Sequence, residues 1–234
     1  IMYCKLSQLS TELLRDAVNT ESKRTTGKKN PRQIKAKTVI NEYGLITAVI
    51  NTYAPALDCT VKLPQIEHNQ HEISTPDVIY QIVKDTPIEL PALLAMWLSL
   101  TESEILGLTK SKSISSDGCY ITIKEVIVKD EHNNAVVKNK GKQPTRDRTL
   151  RLPEYLKQLI DKVETDQLVT LSGTALSKRF NRLITKAGIP HMTFHDLRHV
   201  NASVMAVLRI PDKYAQERGG WKTDHIMKST YMQT

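Results

Sequence analysis

The sequence predicts a mainly α-helical protein with a small antiparallel β-sheet (an α+β chain). Three observations carry that class. Apolar residues recur at helical spacing, i, i+3, i+4 and i+7, through most of the chain. One stretch, 115–153, changes to a period of two, the alternation of a half-buried strand. Only two Phe and two Trp occur although 40% of the residues are hydrophobic, so aliphatic side chains must fill the core. The 234 residues allow one large domain or two modest ones.

Taken in order, residues 10–24 read as a helix. Ser10 or Thr11 can cap it, and Leu13, Leu14, Ala17 and Val18 form its apolar stripe. Gly27 and Pro31 break the chain into a loop. A second helix is expected from about Lys35 to Tyr53, where Pro55 stops it. Its buried side would be Val39, Ile40, Tyr43, Ile46, Val49, Ile50 and Tyr53. The first domain is therefore placed at 1–62, with a linker over 63–74. Thr75-Pro76-Asp77 is a cap followed by Pro in the first turn, and helices are expected at 76–84, 90–99 and 102–108. Tyr120 to Glu125 alternate, Val126-Ile127-Val128 continue the strand, and Glu131 to Asn134 make a turn. Residues 135–139 and 147–152 are expected to pair with each other around the loop 140–146. Helices come next at 154–163, 174–187 (closed by Gly188), 195–208, 212–218 and 224–231, which completes a second domain at 75–234.

The net charge is +8, and its placement is uneven. Lys23, Arg24, Lys28, Lys29, Arg32, Lys35 and Lys37 crowd one stretch, and Lys138, Lys140, Lys142, Arg146, Arg148 and Arg151 another, against Asp147 alone. A basic face can be merely solvated. Two clusters in a chain whose other charges nearly balance point to phosphate-facing surfaces, with Lys28, Lys29, Arg32, Lys35, Lys138, Lys140 and Arg146 as candidate DNA contacts. Cys4, Cys59 and Cys119 are odd in number, far apart and without metal-ligand spacing, as in a reducing cytoplasm. No apolar run reaches membrane-spanning length, and no signal peptide is visible. A chain that starts at Ile1 and stops three residues after Tyr231 is expected to be a fragment.

The chemistry concentrates late in the chain. In Thr193-Phe194-His195-Asp196-Leu197-Arg198-His199, His195 and Arg198 share a helix face and present an imidazole beside a guanidinium, a pair suited to phosphate. That spacing alone also describes many surface helices. The residues downstream separate the cases: Gly219-Gly220-Trp221, then Ser229-Thr230-Tyr231 close to the end. The ordered boxes TFHDLRH, GGW and STYMQT resemble the C-terminal half of the tyrosine recombinase (phage integrase) family, and weaker matches continue upstream.

The resemblance implies the integrase catalytic fold over 75–234, preceded by a partial helical core-binding domain. It implies a site-specific recombinase of a mobile element, cutting and rejoining double-stranded DNA through a 3′-phosphotyrosine intermediate, with no cofactor and no metal. A homotetramer on DNA and a bacterial or phage-encoded cytoplasmic protein are the matching expectations. Tyr231 would be the nucleophile, Arg198 the second catalytic arginine, and His195 its partner. Trp221 falls where the family usually has His and sometimes Trp; an indole offers one N–H donor and no base. Lys142, in GKQPTRDRTLRLP, would be the general acid, with Lys138 and Lys140 as close competitors.

The first box departs from the pattern. The family reads Gly-x-Arg-x-Ser-Glu, and this chain reads Ser99-Leu100-Thr101-Glu102-Ser103-Glu104. Thr101 stands at the first-arginine position, pointing by expectation to the phosphate pocket. No Arg occurs from 33 to 145. Lys110 and Lys112 are the nearest cations, and Glu104 would orient a Lys or His. Two functions are therefore open: an active recombinase, or a catalytically impaired DNA-binding integrase homologue. A type IB topoisomerase-like nicking enzyme shares the chemistry, but the hairpin followed by Leu-Pro fits it less well.

Overall fold

The computed structural model describes residues 4–27, 30–66, 73–139 and 148–221. The chain divides into two compact units, 1–70 and 71–234, a boundary inside the expected linker.

In the first unit, helices α1 (Thr11–Lys23) and α2 (Ala36–Tyr53) pack together. Ser10 caps α1 by accepting a hydrogen bond from Leu13 N at 3.2 Å. Two short strands, β1 (Thr25–Thr26) and β2 (Arg32–Gln33), pair antiparallel where a loop was expected. The core is Leu14, Val18, Val39, Tyr43 and Ile50. The chain after α2 folds back over it: Tyr43 Oη donates to Cys59 O at 2.6 Å, and Thr11 Oγ1 to Asp58 O at 2.7 Å. Val49 and Tyr53, expected on the buried side of α2, are exposed. The buried stripe is Val39, Tyr43 and Ile50, at spacings of four and seven, which leaves Val49 beside it, and Tyr53 is the last residue of the helix.

The second unit is built on α4 (Glu89–Leu98), which is buried at Leu90, Ala92, Leu93, Leu94, Ala95, Met96 and Leu98. A helix apolar all round must be enclosed. Around it lie α3 (Pro76–Val83), α5 (Glu102–Leu106), α7 (Glu154–Asp161) and α9 (Asp196–Val207). Helix α8 (Gly173–Ala187) packs on α3 and α5, and ends at Gly188 in the left-handed conformation, φ 68°. A short helix α6 (Lys110–Ser113), not expected from the sequence, is capped by Thr109; α10 (Asp212–Gly219) packs on α9.

The strands pair differently from the expectation. β3 (Tyr120–Ile123) pairs antiparallel with β6 (Arg148–Arg151), and β4 (Glu125–Lys129) with β5 (Ala135–Asn139). Residues 135–139 and 148–151 therefore do not pair with each other. The turn decides this locally. Asp130 Oδ1 accepts from His132 N and Asn134 N, each at 2.8 Å, and Asn133 takes φ 63°, which fixes β4 against β5. The expected loop 140–146 and helix 224–231 lie outside the described residues.

Candidate functional site

The site forms where α4 ends. The last carbonyls of a helix lack intrahelical partners and carry its negative pole. Side chains from α9 and α10 supply the donors. Asn201 Nδ2 donates to Met96 O at 2.7 Å, Arg218 Nη2 to Trp97 O at 2.9 Å, and Arg198 Nη1 to Ser99 O. Ser99 itself adopts φ 56°, the left-handed cap position for which the family pattern has Gly. Arg198 Nη2 also donates to Gly219 O at 2.9 Å.

Arg198 is 5% exposed, so its charge needs a counterion. Glu104, equally buried, lies 4.0 Å away and also accepts from Arg148 Nη2 at 2.9 Å. Two buried guanidiniums thus flank a single carboxylate. Burial pushes the Arg148 guanidinium below its ordinary range and Glu104 draws it back. Arg148 Nη1 is held by Arg218 O at 2.9 Å. Glu104, expected to orient a Lys or His, pairs with arginine. Lys110 instead donates to Val163 O, and Lys112 pairs with Glu125 at 2.8 Å.

Thr101 is the N-cap of α5. Its Oγ1 accepts from Glu104 N at 3.3 Å, its N donates to Glu104 Oε2 at 2.8 Å, and its hydroxyl lies 3.2 Å from Ser103 Oγ. The expectation that Thr101 points into the pocket is corrected here: its neighbours Leu100 and Glu102 line the cleft, while its hydroxyl is committed to the cap.

That cleft, of about 340 Å³, is lined by Leu100, Glu102, Ser177, Thr193, Phe194, His195 and Arg198. His195 is the cap residue of α9, with Arg198 in the first turn, so the i, i+3 relation brings both to one opening. Asp196 tightens this turn by accepting from Thr193 N at 2.7 Å and Thr193 Oγ1 at 2.9 Å. The His195 ring meets His199 edge-on at 5.6 Å. Partial burial and then the Arg198 charge hold His195 below its ordinary pKa, while Asp196 and Glu102 act the other way.

Trp221 is buried beside Arg198, whose guanidinium carbon lies 5.4 Å from the ring centroid. Gly219 makes this possible, since a Cβ there would sit 2.1 Å from Trp221 Cζ3. The structure thus brings His195, Arg198 and Trp221 together, with Thr101 one carboxylate away. Of the candidate DNA contacts, Arg32, Lys35 and Lys138 are exposed on β2, before α2 and on β5. Tyr231, Lys142, Lys28, Lys29, Lys140 and Arg146 lie outside the described residues.

Sequence reasoning missed Arg148 as a member of this cluster. The signal was present: Arg148 and Leu150 occupy the same, inward face of β6, and an inward guanidinium requires a buried acid.

A family model described as the phage integrase family matches residues 102–234. Among solved structures, the chain is similar to the Tn1549 transposon integrase in complex with transposon right end DNA (TM-score 0.79, 14% identity, covering 97% of this chain and 82% of that one). It is also similar to a lambda integrase dimer bound to a COC′ core site (TM-score 0.62, 17% identity, 96% and 64%). A third similar structure is the XerH site-specific recombinase bound to palindromic difH substrate as a post-cleavage complex (TM-score 0.62, 14% identity, 98% and 71%). At these identities the structures speak for the fold. No curated protein matches the chain.

Proposed function

The chain belongs to the phage integrase family, and from that premise we propose how its residues cut and rejoin DNA. It is a tyrosine-type site-specific recombinase, and we read it as the integrase of a mobile element. The observation that carries the residue assignment is the cleft in which His195 and Arg198 open together onto one space. Among the described residues, Arg198 Nε has no hydrogen-bond partner, a buried donor in a group already held at Ser99 O and Gly219 O. Arg198 would bind a nonbridging oxygen of the scissile phosphate and stabilise the charge that grows there. The Tyr231 hydroxyl would lose its proton to His195 as its oxygen bonds to phosphorus. The bond from phosphorus to the 5′-oxygen breaks, and Lys142 returns a proton to that leaving oxygen. Trp221 would support Arg198 through its ring face and offer one N–H donor.

Duplex DNA is the substrate in this reading, four protomers act on two duplexes, and the protein works in the cytoplasm. The first unit is taken as part of a core-binding domain. The second reading, a DNA-binding homologue with impaired cleavage, draws on Thr101, which carries no charge and whose hydroxyl is occupied as a cap.

A nicked suicide duplex decides between them. The expected result is a covalent protein–DNA adduct that Tyr231→Phe abolishes while DNA affinity stays nearly unchanged. Binding without any adduct would establish the second reading, and an adduct surviving Tyr231→Phe would move the nucleophile to another residue.

A further inference from the structure

The cleft contains an acid that the recombinase reading does not use. Glu102 opens α5, and its carboxylate is fixed at the start of α8. Its Oε2 accepts from Ser177 Oγ at 2.9 Å. A Cβ on Gly173, the first residue of α8, would sit 2.0 Å from its Oε1, so a glycine there leaves the room it occupies. The carboxylate thus lies at the N-terminus of a fifteen-residue helix, the pole that attracts negative charge. Glu102 and Ser177 line the same cleft as His195 and Arg198.

An anion in a phosphate site needs a reason, and the proton supplies one. When Tyr231 gives its proton to His195, the phenol O–H bond breaks, its electron pair forms the bond to phosphorus, and the imidazole becomes an imidazolium. Among the described residues, the charged and titratable groups around that ring are Arg198, Asp196 and His199 from α9 and Glu102 from α5. Arg198 opposes the new charge. Asp196 is already engaged by Thr193 and lies 3.6 Å from His199 Nε2. Glu102 is the acid that a different element, α5, brings to the cleft the ring lines.

We propose that Glu102 is a positioning residue for the proton acceptor: a carboxylate fixed by Ser177 and α8 whose charge sustains the protonated form of His195. The part of this that concerns catalysis rests on the recombinase reading; the coupling between the two side chains does not. Its effect on the imidazole is to counter the depression caused by burial and Arg198.

The test is an NMR titration of the His195 imidazole in the full chain, assigned with His195→Gln, beside single-turnover adduct formation on the nicked duplex. Glu102→Gln keeps an oxygen for the Ser177 hydroxyl and removes the charge. It is expected to lower the His195 midpoint by about half a pH unit or more, and to slow adduct formation at neutral pH by about threefold. Ser177→Ala, which only loosens the carboxylate, should give a smaller shift of the same sign. A His195 midpoint that stays put in both variants would overturn the proposal, whatever the rates do. A midpoint that moves as expected in a protein whose wild type forms no adduct would uphold the coupling and sink the recombinase reading instead.

Discussion

Thr101, which the sequence reading sets at the family's first-arginine position, is held in place locally. Thr101 closes a reciprocal cap with Glu104, and the same Glu104 oxygen that takes Thr101 N also takes Arg148. Losing such a cap costs about 1 kcal/mol. Removing a hydrogen-bond donor from the charge that develops in a transition state costs roughly 10²–10³ in rate. The second effect is the larger one, and an arginine freed from the cap is long enough to turn toward the cleft that Leu100 and Glu102 line, so Thr101→Arg is expected to speed the covalent step on nicked DNA while lowering stability to urea by about 1 kcal/mol. Single-turnover adduct formation and equilibrium unfolding measure the two separately. A rate that does not rise, with binding intact, would mean that the phosphate site does not lack a cation at position 101.

Among the secondary elements, the β3–β6 pair matters most for chemistry. Its register, Ile121 with Leu150 and Ile123 with Arg148, drives both isoleucines and Arg148 inward. β5 carries Lys138 exposed on its way to Lys140 and Lys142. Three lysines at alternate positions invite a chemical distinction. A general acid is needed only when the leaving oxygen must be protonated, and a leaving sulfur is stable as its anion. Lys142→Ala is expected to slow cleavage of the ordinary bond and to cleave a 5′-bridging phosphorothioate at close to the wild-type rate. Replacing Lys138 or Lys140 should affect both substrates alike. Rescue at either of those positions would transfer the general-acid role to it.

For the whole molecule, charge placement predicts behaviour on DNA. The exposed Arg32 lies in the basic stretch with Lys28 and Lys29, and among the described residues it sits on a short hairpin. Phosphate contacts release counterions, so affinity should fall steeply with salt, each lost contact reducing the slope of log K against log salt by about 0.9. Lys28→Ala, Lys29→Ala and Arg32→Ala together are expected to flatten that slope by about 3 and to weaken binding on most duplexes alike. Filter binding or fluorescence anisotropy across a salt series reads both. A slope unchanged by the triple substitution would remove this stretch from the DNA surface. No helix among the described residues is long and apolar enough to cross a membrane.

Local signals determined most of the secondary structure. Ser10, Thr75-Pro76 and Gly188 marked helix ends because caps and breakers act within a few residues, and α4 announced its burial by being apolar on every side. The order of TFHDLRH and GGW placed His195, Arg198 and Trp221, since a helix turn alone brings His195 and Arg198 to one face. Pairing that joins distant segments was not legible. Proximity in the sequence suggested pairing 147–152 with 135–139, whereas 148–151 pairs with 120–123; the Asp130 turn with the inward burial of Leu150 and Arg148 decided the matter. Likewise, the resemblance set Thr101 against the family's first arginine but gave no sign of what its hydroxyl would bind. It showed Glu104 and Arg148 as members of separate motifs 44 residues apart. Only the tertiary structure could make them one buried pair, because a buried charge selects its partner by proximity in space, and burial is a property of the whole fold.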